Sequence, residues 1–399
     1  MPIAPLRRRL VLRAASGALA SLVSVGCSSY SNAGTAYVAQ SVAVVDLNGD
    51  GHLDVLSAIA ATTPSQSFLS ARIQEPAAPG TFEAPVRSPT GLAPVAIAVG
   101  DLNGDGLPDV AVADGAAGGG NYFIDVQFQV PGTPGAFSAP VQLALGALQP
   151  RDLVLADLDG DGKTDIAVAA DGSNAVQVFF QGASSGSFGG RTSFAAGGVP
   201  TAVAAGDLTG SGQVDLAVAT ANGKVSVLLH GATPGTFLPS VDYAAGTSPA
   251  GVQIADMNGD GYPDLLVADY AGALLILLQS PTGGGTFEPA VSYSALDYGS
   301  CSLAVGDLDG DGRPDVVVAN AGRPGDPGSV AVFLQDPATP GALKQATLYQ
   351  GYWGPVWVAL GDLNGDGKLD IAVADGGPSV RFQSQTTPGL FLPPTWLLE

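Results

Sequence analysis

Seven stretches of this chain repeat one nine-residue pattern, D-x-[N/D/T]-G-[D/S]-G-x-x-D, in which positions 1, 3, 5 and 9 carry side-chain oxygens. The first three sets are Asp46, Asn48, Asp50 and Asp54; Asp101, Asn103, Asp105 and Asp109; and Asp157, Asp159, Asp161 and Asp165. The fourth is Asp207, Thr209, Ser211 and Asp215, and the fifth is Asp256, Asn258, Asp260 and Asp264. Asp307, Asp309, Asp311 and Asp315, then Asp362, Asn364, Asp366 and Asp370, complete the series. Position 7 (His52, Leu107, Lys163, Gln213, Tyr262, Arg313, Lys368) varies freely and would serve a cation only through its main-chain carbonyl. Closely spaced oxygens without nitrogen or sulfur suit a hard cation. Ca²⁺ takes six to eight of them at roughly 2.3–2.6 Å, whereas Mg²⁺ demands strict octahedral geometry and fits this loop less well. The glycine at position 6 supplies the sharp bend without steric cost.

The copies differ in charge. The third and sixth hold four carboxylates, four others hold three and an Asn, and the fourth holds only Asp207 and Asp215. The fourth is therefore expected to bind Ca²⁺ weakly or not at all, leaving six good sites. The plain alternative is a set of solvated turns without ions, but clustered carboxylates repel one another at such separations. An EF-hand reading fails, because it needs a Glu at position 12, where this chain has Ser57, Val112, Val168, Val218, Val267, Val318 and Val373.

What must position these loops follows from their spacing. Successive copies start 55, 56, 50, 49, 51 and 55 residues apart. A period near fifty, filled with short β-branched runs and Gly/Pro turns, is that of a propeller blade. In the fifth unit, strands are expected over 251–255, 265–268, 274–279 and 287–293, with the acidic loop joining the first to the second. Phe82, Phe137, Phe188, Phe237, Phe287 and Phe391, with Leu343, mark the fourth strand in each unit. The expectation is all-β: one seven-bladed propeller of four-stranded antiparallel blades over residues 41–399. Leu or Met at loop position 2 is expected to plug the core beneath the ion. Ring closure is left between blade-to-blade packing and edge pairing by residues 34–40.

Residues 1–27 read as an export signal: Arg7, Arg8, Arg9 and Arg13 precede an apolar stretch too short to span a bilayer. The run Ser24-Val25-Gly26-Cys27 resembles a bacterial lipoprotein signal, with Cys27 as the lipid-bearing residue, while plain secretory cleavage and a twin-arginine route remain alternatives. Residues 28–40 read as a tether. With Cys27 so used, Cys301 is expected to be an unpaired buried hydrophobe. The formal charge is −21, and loss of the four leader arginines takes it to −25. Of the 36 acidic residues, 22 sit in the loops, so the charge describes the loops rather than a partner. Nothing resembles the basic stripe that nucleic acid requires. The chain is expected to be monomeric and exported, secreted or held at the outer membrane or cell surface, touching membrane only through a lipid at Cys27.

The repeats resemble FG-GAP/VCBS repeats, the units of the integrin α-subunit propeller; "DLNGDGLPDVAVAD" (101–114), "DLDGDGRPDVVVAN" (307–320) and "DLNGDGKLDIAVAD" (362–375) carry the likeness best. The resemblance implies Ca²⁺ at the loop positions above, an extracellular setting, and adhesion or ligand binding to a glycan or protein. It fixes no ligand. In such blades the ion loops share one face with the Pro-Gly-x-Phe turns. The opposite face would present Asp269, Tyr270, Asp297, Tyr298, Arg323, Asp326, Tyr352 and Trp353, all in blades 5 to 7, as an aromatic and polar patch; the bland reading is a rim of aromatic covers. The alternative function is a polysaccharide-active lyase or dehydratase on the same scaffold. Such chemistry needs a tuned base, and the only histidines are His52, in a loop, and His230, at a third-strand end.

Overall fold

The structure is a computed structural model. It describes residues 37–397 except 62, 64, 65, 116–120, 324 and 325. The expected export signal over residues 1–27 and its lipid-bearing Cys27 lie outside the described residues.

The described residues form seven four-stranded antiparallel sheets and no helix. Among the described residues no helix is long and apolar enough to cross a membrane. Each sheet uses four strands consecutive in sequence, so every blade is one uninterrupted stretch. The inner strands are Tyr37–Val45, Pro94–Gly100, Pro150–Ala156, Pro200–Gly206, Pro249–Ala255, Ser300–Gly306 and Trp357–Gly361. The second strands are buried along most or all of their length; Asp109–Asp114 and Asp315–Asn320 have every residue inside. Strands buried on both faces read as continuous Val/Ile/Leu/Ala runs rather than alternating ones, which is what "DVAVAD" and "DVVVAN" are.

Two boundaries move. The first strand starts at Tyr37, inside the segment read as a tether, and pairs through Ala61 with its own blade. The phenylalanines do not open the fourth strands. Phe287 makes an isolated bridge to Gln279, and the outer strand begins four residues later at Val291–Ser294; the six other blades repeat this arrangement. In five blades the step between bridge and strand carries a proline, which has no N–H to donate, but Gly189–Arg191 of blade 3 and Lys344–Ala346 of blade 6 interrupt the ladder without one.

The residue at loop position 2 is buried in all seven copies (Leu47, Leu102, Leu158, Leu208, Met257, Leu308, Leu363), as expected for a plug. Small residues before the loop let inner strands converge: a Cβ on Gly361 would lie 2.5 Å from Val44 Cγ1 of blade 1. That contact belongs to the ring seam, where blade 7 packs directly on the first inner strand. Closure is blade-to-blade packing, not edge pairing. Gln74 Nε2 of blade 1 donates to the Leu363 carbonyl of blade 7 at 2.6 Å across the same seam.

Cys301 is buried at the start of the sixth inner strand and is disulfide-bonded, with its partner outside the described residues. The expectation of an unpaired thiol is corrected. It followed from giving Cys27 to a lipid, and in a chain with two cysteines a disulfide and that lipid compete for one sulfur.

Candidate metal sites and a ligand groove

Each acidic loop closes the hairpin between an inner and a second strand. The last inner-strand residue pairs directly with the position-9 Asp, as in Gly100↔Asp109 and Gly306↔Asp315. Gly49 and Gly51 have φ of 74° and 86°, and a Cβ at either would meet nothing within 4 Å. Conformation, not space, requires glycine there. The two left-handed turns aim amides inward, and Asp46 at position 1 accepts them: Gly49 N donates to Oδ1 at 2.7 Å and Gly51 N to Oδ2 at 2.9 Å.

The position-9 aspartates have a role that sequence spacing alone does not assign. Asp54 Oδ2 accepts from Leu47 N at 2.8 Å, and its Oδ1 accepts from Gln74 N, at the third-strand end, at 2.7 Å. The same bracket recurs in every blade, through Asp109, Asp165, Asp215, Asp264, Asp315 and Asp370. Burial raises these carboxylates above their ordinary range against those hydrogen bonds, and the loop's other carboxylates add to the rise. Asp165 and Asp370 are pushed to about 7, and Asp54, Asp109, Asp264 and Asp315 to about 6. Asp215 is also raised, by burial first, with Asp207 as its one anionic neighbour.

The third and sixth loops each bring three carboxylates together. Carboxylate oxygens of Asp157, Asp159 and Asp165 all lie within 4.8 Å of one another, and so do those of Asp307, Asp309 and Asp315. Oxygens at about 2.4 Å from a common centre can be at most about 4.8 Å apart, so both sets fit a Ca²⁺ shell. In both loops the position-5 carboxylate is turned aside to the position-7 cation: Asp161 pairs with Lys163, and Asp311 with Arg313. Position 7 was assigned only a carbonyl role, and its side chain matters in these two copies. In three of the Asn loops the amide instead spans the site, Asn48 Nδ2 to Asp50 Oδ2 at 2.9 Å, and likewise Asn103 to Asp105 and Asn258 to Asp260. In the fourth loop Asp207, despite partial burial, is held below its ordinary range by the amides of Gly212, Ser211, Thr209 and Gly210.

These loops also sit at blade joints. A Cβ on Gly235 of blade 4 would lie 3.4 Å from Asp159 Cβ of blade 3, and one on Gly389 of blade 7 would lie 3.4 Å from Asp309 Cβ of blade 6. With Gly80, Gly186 and Gly341 likewise against Asn364, Asn103 and Asn258, the following blade's turn covers position 3 in five of the seven loops, which places loops and Pro-Gly turns on one face as expected. Gln181 Nε2 reaches the Leu102 carbonyl of blade 2 at 2.6 Å, and Gln335 Nε2 reaches that of Met257 in blade 5 at 2.6 Å.

On the opposite face the expected patch divides. Tyr298, Arg323, Asp297 and Asp326 line a groove of about 580 Å³ between blades 5 and 6, together with Leu296. Tyr270 stacks edge-on against Tyr298 with centroids 5.1 Å apart, and the Arg323 guanidinium lies 5.5 Å from the Tyr298 ring centre. Leu296 has φ of 60°, the one left-handed non-glycine among the described residues. Such strain persists only where surrounding structure enforces it. Tyr352 does not join the patch. It is buried, its phenol is pushed up to about 12 by burial, and Arg381 hydrogen-bonds its oxygen. Trp353 is 60% exposed but lies outside the groove. Asp269 is spent on the Thr247 and Ser248 amides, at 2.5 and 3.1 Å.

Residues 46–112, 157–218, 207–267, 256–318 and 317–373 match the FG-GAP-like repeat family, and all seven loops fall inside these spans. The chain belongs to that family. An FG-GAP-like stretch of 101 residues is 41% identical to integrin alpha-IIb of Mus musculus, over 22% of this chain and 10% of that protein. The chain thus spans about a tenth of that relative's length. Among solved structures, BBS1N in complex with ARL6DN superposes at TM-score 0.54 and 14% identity, covering 92% of this chain and 99% of that one. A putative 6-phosphogluconolactonase from Bacteroides fragilis gives 0.57 at 15% identity, covering 84% and 96%. At such identities these two share the fold alone. The FG-GAP-like assignment makes this an integrin-like propeller whose acidic clusters can hold metal.

Proposed function

We propose that this protein is an exported, non-enzymatic binding module, a calcium-stiffened propeller that presents a ligand groove at blades 5 and 6. Membership of the FG-GAP-like family supports a ligand-binding role, and the groove formed by Tyr298, Arg323, Asp297 and Asp326 is the observation that carries it. Bound Ca²⁺ would supply positive charge among carboxylates that otherwise repel. The residues that would hold it are positions 1, 3 and 9 of every loop but the fourth, among them the carboxylate sets Asp157/Asp159/Asp165 and Asp307/Asp309/Asp315. What these side chains do is fix the loop: position 1 gathers glycine amides and position 9 ties the loop to its blade, and in five loops the next blade's turn covers position 3. The groove face is held at a distance from this bracing. An aromatic wall, a guanidinium and two carboxylates around an open trough suit a glycan or a polar protein segment.

Neither histidine lines the groove; His52 lies in a loop and His230 abuts Phe237. The test is a glycan array, with uronate-lyase absorbance assayed alongside, using wild type and the Tyr298→Ala and Arg323→Ala variants. Binding lost in both variants, without turnover, supports the module. Absorbance rising with substrate would replace it with the lyase reading.

A further inference from the structure

Only blade 2 places a carboxylate at the centre of the third strand, inside a blade–blade joint. Asp125 pairs with Val112, and the matching positions elsewhere are Ser70, Gln177, Ser226, Leu275, Ala331 and Ser379. Val110 and Val112, on the same face, pack against Leu56 and Leu69 of blade 1, and Asp125 is fully buried. Its Oδ1 accepts from Gln142 Nε2 at 3.0 Å, while Oδ2 is met only by the nearby Gly91 amide, without a well-formed hydrogen bond.

Two more buried oxygens nearby are unpartnered, Gln127 Oε1 and Thr90 Oγ1. All three border one crossing of chain at residues 89–91. Gln127 Nε2 donates to the Pro89 carbonyl at 2.8 Å, and a Cβ on Gly91 would lie 2.6 Å from Asp125 Oδ2 and 2.0 Å from Asp114 Oδ2. Asp114, itself buried, accepts from the Leu92 and Ala93 amides, both at 2.9 Å. Two carboxylates therefore face one small space that glycine leaves open. Orphaned acceptors in an apolar joint are costly, and charged ones more so. A buried water would satisfy oxygens but would not offset charge.

We propose that Asp125, Gln127, Thr90 and Asp114 form a further cation site, separate from the acidic loops, that takes a hard divalent ion such as Ca²⁺ at the joint of blades 1 and 2. The donors are carboxylate, amide and hydroxyl oxygens, the set that hard cations prefer. The site does not depend on the loops being filled. The experiment counts calcium in the full chain by mass spectrometry, for wild type, Asp125→Ser (the residue blades 1, 4 and 7 use) and Asp125→Asn. Anomalous maps from calcium-soaked wild-type crystals accompany it. One calcium fewer per molecule in the variants, with a wild-type peak within about 2.6 Å of Asp125 Oδ2, is the expected result. No peak there while loops are filled, or equal counts in all three proteins, overturns the proposal in favour of water or a shared proton. If neither variant folds, the wild-type peak alone decides.

Discussion

The third and fourth acidic loops lie on adjacent blades, and the difference between them separates architecture from chemistry. Both keep the position-9 bracket: Asp165 holds the Leu158 and Gln181 amides, and Asp215 holds those of Leu208 and His230. Both keep glycines in the left-handed region at positions 4 and 6. What the fourth loop lacks is charge in the middle, where Thr209 and Ser211 replace Asp159 and Asp161. The hairpin folds the same way in each. Position 9 is therefore demanded by the fold, while position 3 is free to serve an ion and position 5 of the third loop is held by Lys163.

The largest effect should come from removing metal altogether. Each ion held at a hundredfold over its dissociation constant adds about 2.7 kcal/mol, so chelator should lower the melting temperature by many degrees, while Asp159→Ala should cost one calcium and Thr209→Ala none. An unchanged melting curve in chelator would erase the comparison. Acidification distinguishes the two states further. In chelator, the position-9 carboxylates titrate near 6 to 7 in the folded protein, above their ordinary values. Their contribution is present below about pH 4 and lost as pH rises through that range, so ion-free stability rises on acidification, whereas loaded protein releases calcium.

Next in size is Asp215→Ala. It strands two amides in a blade expected to hold no tight ion, at roughly 1–3 kcal/mol each. Chemical denaturation should show that loss equally with calcium and with chelator; a loss seen only with calcium would make position 9 a ligand first. The smallest expected change is a gain. Thr209→Asp with Ser211→Asp should add one calcium and about 2.7 kcal/mol at a hundredfold excess, read by calcium count and melting temperature. No gain would mean that the blade, not the donor set, disables the site.

Much of this was legible because glycine, aspartate and spacing act locally. Period, hairpin loops, buried plugs and the number of blades all follow from residues within one repeat. The register at the rim was less so: Phe287 bridges Gln279 instead of opening the outer strand, an interruption that recurs in blades with and without a following proline and so is marked by no single residue. Tyr352 reads as a surface aromatic by its neighbours, yet Arg381, 29 residues on, draws it inside. The recurrent Gln at third-strand ends (Gln74, Gln181, Gln335) was a visible column, but its target is a carbonyl on the preceding blade, which no local pattern names.

Because every blade is one unbroken stretch, the seam between Gly361 and Val44 is the same kind of joint as any other, merely one without a covalent link across it. Tyr37 begins an inner strand of blade 1 and Trp396 ends the outer strand of blade 7, the two positions that a link joins elsewhere in the circle. Circular permutation thus relocates the gap without altering any sheet.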